Sequence, residues 1–257
     1  MRKEIVDTRV PQIIILYWII KIASTTLGET GADMFSMTFQ FGYAATIMIF
    51  MTIFLLFFAI KLSLKRYEPI TYWLTFTATA IAGTAISDFI DRTLELGYSV
   101  GSLILVSLLG IVLYVWHKKD RSLSVEKIYT TSSEVYYWIA FLIANTLGTA
   151  AGDFLADDLN IGFVQSATLI SLVLISLVVM NYYTKISKVF LFWLAFVLTR
   201  PFGATFGDLL TKPIDHGGLN LGTVGASSFF MTVLVIALFL EINYEKINHY
   251  RKKIFYR

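Results

Sequence analysis

Apolar residues run through the chain in eight blocks, at roughly 12–33, 42–61, 70–90, 98–117, 135–155, 162–183, 189–210 and 221–241. Each is close to the ~20 residues that a helix needs to span a bilayer. The even-numbered blocks are plain: residues 47–60 and 164–183 carry no charge. The odd-numbered blocks hold glycines, hydroxyls and an acid toward their C-terminal ends. Polar groups facing lipid are costly. The odd helices are therefore expected to face the protein interior, with the even helices shielding them. The first block leads into Gly28 and Asp33 rather than a small-residue cleavage site, so no cleavable signal peptide is expected.

The polar positions inside the odd blocks repeat. Trp18, Trp73, Trp138 and Trp193 each follow an aromatic residue (Tyr17, Tyr72, Tyr137, Phe192). Ten residues on stand Gly28, Gly83, Gly148 and Gly203, and fifteen residues on stand Asp33, Asp88, Asp153 and Asp208. The pattern aromatic-W-x9-G-x4-D thus occurs four times without a gap. A further glycine follows nine residues after the Asp in three repeats (Gly42, Gly97, Gly162). In the fourth, Asn220-Leu221-Gly222 echoes Asn160-Ile161-Gly162 after a five-residue insertion at 213–217. Internal self-similarity of this kind defines the architecture before any other signal.

The expected fold is an all-α membrane protein with eight transmembrane helices arranged as four tandem two-helix repeats. The repeats span about 12–66, 67–119, 134–186 and 187–243 of a single membrane domain, 1–257, with a polar linker at 120–133 between two halves. Because each unit has an even number of spans, all four enter the membrane from the same side and are parallel repeats. With its four tryptophans in this register, the chain resembles an uncharacterised family of bacterial integral membrane proteins built from four tandem repeats, each with two transmembrane helices and a characteristic Trp. That resemblance implies the fold and almost nothing about activity.

Composition agrees with the pattern. Of 257 residues, 56% are hydrophobic and 15% charged, with no cysteine, and the mean hydropathy is +0.69. Disorder, a disulfide-stapled secreted domain and a nucleic-acid binder are all excluded by these values. The net charge of +3 hides two opposed layers. Seventeen of the 21 basic residues lie on the side of the termini, which the positive-inside rule assigns to the cytoplasm. Ten of the 18 acids lie at the other side, where Arg92 and Lys212 alone oppose them, leaving that face at about −8. Orientation depends hardly at all on acids, so this excess calls for another explanation.

With a rise of ~1.5 Å per residue, each Asp stands about 22 Å beyond its Trp, near the outer edge of a core ~30 Å thick. Helices lining one interior would bring the four carboxylates to one level, where all can stay ionised only if cations, hydrogen bonds or water compensate. Such a ring is also a ligand set for hard cations. Lys21, Glu29, Arg200 and Asn145 are candidate modulators, Lys21 sharing a helix face with Thr25 and Glu29. The glycines, including Gly152 and Gly207 in small-x3-small pairs with Gly148 and Gly203, either pack helices closely or mark a break in the odd helices. The tryptophans are expected to be interface anchors. Pro201 predicts a kink in the seventh span.

The favoured function is a secondary transporter or channel of the bacterial inner membrane for a small solute, a cation bound by the repeat aspartates being preferred and protons a further option. Two alternatives stay open. One is a non-transporting scaffold or sensor whose acids are helix caps and salt bridges. The other is an anion or zwitterion carrier using Lys21 and Arg200. No catalytic constellation, cofactor motif or nucleic-acid partner is expected, the partners being lipid and solute, with a homodimer left open. Transport predicts carboxylates of different repeats converging within a few ångströms, whereas a scaffold predicts acids pointing separately into loops.

Overall fold

A computed structural model of the chain describes residues 8–125 and 128–255. It has eight long helices: α1 (Ile15–Asp33), α2 (Gly42–Leu64), α3 (Pro69–Asp88), α4 (Gly97–Asp120), α5 (Thr131–Asp153), α6 (Phe163–Tyr183), α7 (Lys188–Thr211) and α8 (Gly222–Phe255). There is no strand among the described residues. Seven of the helices are long and apolar enough to cross a membrane. The exception is α1, diluted by Lys21, Glu29 and a run of small and hydroxyl residues. These helices mark a multi-pass membrane protein. Helix starts follow elementary capping. The Glu68 side chain accepts from the N–H groups of Ile70 and Thr71 ahead of a first-turn Pro69, and Thr130 accepts from the Ser133 N–H.

The odd helices form a closed inner ring, with α1 packed on α3 and α7, and α5 packed on the same two helices. The even helices lie outside, but not on their own partners. Instead α2 packs on α3, α4 on α5, α6 on α7, and α8 returns to α1. Every repeat thus lends its second helix to the first helix of the next. The odd-inside, even-outside expectation holds: α3 and α5 are mostly buried, while α2, α4, α6 and α8 are mostly exposed, as lipid-facing helices should be.

The repeat glycines are the contact points of the inner ring. Gly28 lies against Ala80, Gly83 against Asn145, Gly148 against Arg200 and Gly203 against Thr25, each too close to admit a Cβ without movement. Those four contacted residues all stand seven after their own Trp, so one contact recurs around the ring. Gly152 and Gly207 approach Pro201 and Glu29 in the same way. Because α1, α3, α5 and α7 run unbroken through these glycines, including past Pro201, the glycines act in packing and not in a helix break.

After Asp33, Asp88 and Asp153 the helix widens into one π turn, at Met34–Thr38, Phe89–Thr93 and Phe154–Asp158. Five-residue hydrogen bonds close each turn, from Phe39 to Met34, Leu94 to Phe89 and Leu159 to Phe154. Single π turns are frequent at functional sites. Repeat four has none, because α7 runs on to Thr211 and the insertion forms a short 3-10 turn at Ile214–His216. All four connections then end alike. Gln40, Glu95, Asn160 and Asn220 take left-handed backbone, and the glycine two residues later also has positive φ. At Gly162, φ 82° with ψ 162° is a region open essentially to glycine alone. Gly162→Ala is expected to cost about 1–3 kcal/mol, read as a lowered thermal midpoint in detergent.

Four expectations are corrected. The tryptophans are not headgroup anchors: Trp73, Trp138 and Trp193 are buried and Trp18 is half-buried. Their rings wedge between neighbouring repeats, as in Tyr17–Trp73 at 5.5 Å, Tyr72–Trp138 at 5.2 Å and Trp18–Phe192 at 5.9 Å. Two of the indole N–H groups are satisfied inside, Trp73 by Glu241 and Trp193 by the Leu123 carbonyl. The linker is more than a polar tether, since its Val125 and Ile128 are buried in the main core. Helix α8 extends well past the apolar block that ends near 241, its charged C-terminal stretch simply continuing the helix. Finally, Lys61 and Arg9 do not serve as surface charge, since both are buried against Glu134. Of the other basic residues on that side, Arg2, Lys3, Lys127 and Arg257 lie outside the described residues.

Candidate functional site

The four repeat aspartates lie at one end of the inner ring, and all are buried. Two cations join them in pairs. Lys212 places its Nζ 3.2 Å from Asp33 and 3.1 Å from Asp208. Arg92 lies 3.5 Å from Asp88 and 3.6 Å from Asp153. The first pair joins repeats four and one, and the second joins repeats two and three. Both bridges therefore cross repeat boundaries where inner helices meet.

Glu29 adds a fifth carboxylate one turn below Asp33. One oxygen from each of Glu29, Asp33 and Asp208 lies within 4.8 Å of the others, a spacing able to hold a cation. Burial works against the Lys212 ammonium, but the carboxylates of Asp208 and Asp33 outweigh it and hold its pKa above the ordinary lysine value. Asp153 Oδ2 and Asp208 Oδ1 are met by Arg92 and Lys212, while one oxygen of Asp88 has neither a hydrogen-bond donor nor an ion-pair partner among the described residues.

Arg200 sits below this level and reaches all the other inner helices. It donates to the Thr25 carbonyl at 3.0 Å, to Glu29 at 3.1 Å, to Thr149 at 2.7 Å and to Thr84. Glu29, Thr84 and Thr149 occupy the same repeat position, eleven residues after their Trp. The guanidinium thus fills a ring of four helices at one level. Asn145, expected beside the acids, instead donates to Thr79 at 3.1 Å, away from the carboxylates.

Lys21 does not meet a carboxylate. Its ammonium is fully buried below Arg200 and lies 3.8 Å from the ring centre of Phe196, 5.1 Å from that of Phe76 and 5.5 Å from that of Phe141. A further turn down, the Tyr72 and Tyr137 hydroxyls lie 2.5 Å apart.

Sequence reasoning singled out the acids, Glu29 and Arg200, weighed Arg92 only as a structural ion-pair partner of the aspartates, and gave Lys212 no place in the site. A signal for them exists: each stands four residues after its Asp, in the second repeat of each half, where repeats one and three have Met37 and Asp157.

A family model described as "Repeat of Unknown Function (DUF347)" matches the chain four times, over residues 16–67, 71–122, 136–187 and 191–246. The chain belongs to the DUF347 repeat family. Each DUF347 unit begins two residues before its Trp, so the family unit and the helix-pair repeat have the same frame. The α2–α3, α4–α5 and α6–α7 contacts accordingly join one DUF347 repeat to the next. No curated protein and no solved structure matches the chain.

Proposed function

We propose that this protein is a secondary transporter or channel for a small cation, held in the inner membrane with both termini in the cytoplasm. The cation binds among Asp33, Asp88, Asp153, Asp208 and Glu29. One observation carries the reading: among the described residues, these five buried carboxylates face only three cationic side chains, Arg92, Lys212 and Arg200. Each of the two groups is one positive charge short: Arg92 faces two carboxylates, and Lys212 with Arg200 face three. A buried excess of negative charge is costly unless protons or cations balance it, and oxygen-rich sites of this kind favour hard cations. The convergence of Glu29 and Asp33 with Asp208 from another repeat is what transport requires and what separate helix caps would lack.

The test is cation flux into proteoliposomes across a panel of cations at several pH values, with Asp153→Asn and Asp208→Asn. Flux of the preferred cation is expected to fall at least about tenfold in Asp208→Asn, the scale of one lost charged ligand. Unchanged flux in both variants for every cation overturns the reading.

The second reading, a scaffold or sensor, draws on the same bridges: Arg92 and Lys212 also tie neighbouring repeats together mechanically. It predicts that both Asn variants lose stability without any flux to lose. An anion carrier finds less support, because Arg200 is already engaged by Glu29 and two threonines and Lys21 lies enclosed by phenyl rings.

A further inference from the structure

The least expected group in the protein is Lys21. Its Nζ is wholly buried and has no hydrogen-bond partner among the described residues. Lys21, Phe76, Phe141 and Phe196 all stand three residues after their Trp, so the lysine takes the place of a fourth phenylalanine. Phe76 and Phe141 are in edge contact at 4.4 Å, and Phe141 and Phe196 at 4.5 Å. A fourth ring would complete this apolar plug. An ammonium there leaves three donors unmet. Burial penalises its charge while the ring faces attract it. A lysine held between those opposed effects suits a group that changes charge rather than one that only fills space.

We propose that Lys21 is the proton-carrying group of the bundle, protonated when the carboxylate site above it is empty and neutral when a cation occupies that site. This rests on the cation reading given above and supplies its coupling ion. The link is Arg200, which bonds to the carbonyl of Thr25, one turn beyond Lys21 on the same helix. Arg200 follows Phe196 by one turn and is balanced by Glu29 at 3.1 Å. A cation drawn into Glu29, Asp33 and Asp208 takes that balance away. The unbalanced guanidinium then repels the ammonium across the intervening Thr25 turn. An N–H bond of Lys21 breaks, the electron pair stays on nitrogen as an amine, and the proton passes to water. The hydroxyls of Tyr17, Tyr72 and Tyr137, one turn below, stand on the side away from the acids. The titratable or charged groups facing Lys21 are therefore Tyr17 on α1, Tyr72 on α3, Tyr137 on α5 and Arg200 on α7. Glu241 on α8 is held by Tyr67 and Trp73.

The test uses the full-length protein in weakly buffered detergent solution, titrated with Mg2+ alone and with Na+ alone while heat and a pH indicator are followed. The wild type is expected to release about one proton more per bound cation than Lys21→Met. Its affinity is then expected to rise more steeply with pH, by about one additional factor of ten per pH unit, as proton linkage requires. Lys21→Phe is a second variant, since three repeats already accommodate phenylalanine at this position. Equal proton release in wild type and both variants, with binding retained, overturns the proposal alone and assigns the protons to the carboxylates. A wild type that binds neither cation overturns the cation reading and the proposal together.

Discussion

Arg200→Met is expected to lower the unfolding free energy by about 3–5 kcal/mol, the scale for removing one partner of a buried ion pair. The guanidinium bonds to Thr25 and Glu29 on α1, to Thr84 on α3 and to Thr149 on α5, so a single side chain on α7 contacts every other inner helix. Its removal leaves the Glu29 carboxylate buried without its partner and strips the two threonine hydroxyls of a donor. A cavity forms at the same point, against Gly148. Denaturant or thermal unfolding of the purified protein measures the loss. Glu29→Gln in the same background should recover a large part of it, because the uncompensated charge is then gone. A single variant within about 0.5 kcal/mol of wild type, no more than a typical surface change, would show that water or rearranged neighbours replace the guanidinium.

Glu134→Ala is expected to cost a comparable 3–5 kcal/mol or so, at the opposite end of the bundle. Glu134 is fully buried and accepts from Arg9 at 2.7 Å, with Lys61 3.2 Å away. Alanine would leave two cations facing no anion. The loss should be local in its first effect. Arg9 also donates its backbone N–H to the Ile128 carbonyl, its own carbonyl accepts from Lys61, and the Thr8 carbonyl accepts from Tyr67. Residues 8–10 therefore join the linker, α2 and α5 at one point. Protease cleavage before Ile13 should accelerate in the variant well below its unfolding temperature. A variant that unfolds earlier but shows unchanged N-terminal cleavage would place the stabilising effect elsewhere.

Much of the architecture was legible because the repeat makes each observation four times. The eight blocks, the inner placement of the odd helices and the common level of Asp33, Asp88, Asp153 and Asp208 all follow from spacing and the cost of polar groups in lipid. What sequence spacing lacks is the identity of a helix's neighbour. Arg200 reads as a modulator of the aspartates, yet it pairs with Glu29 on α1, because Gly148 and Gly203 bring α5, α7 and α1 close at that level. Lys212 escaped notice since its partner Asp33 is 179 residues away in sequence. The tryptophans misled for a related reason. An aromatic ring near a helix end is as comfortable between two helices as at a headgroup, and the choice depends on the next repeat's aromatic residue. Val125 and Ile128 were lost to averaging, two apolar side chains within a charged stretch.

The passing of each second helix to the next repeat has a consequence for how the protein is made. Along a growing chain, α2, α4 and α6 each find their docking partner within the helix that follows immediately. Helix α1 has no such luck. Its outer surface waits for α8, the last of the eight in chain order, so the first of these helices is the last to be covered. Until then the surface that carries Thr30, bonded to Ser227 of α8 in the finished fold, faces an unfinished assembly in lipid, a natural point for the insertion machinery or a membrane chaperone to hold the nascent chain.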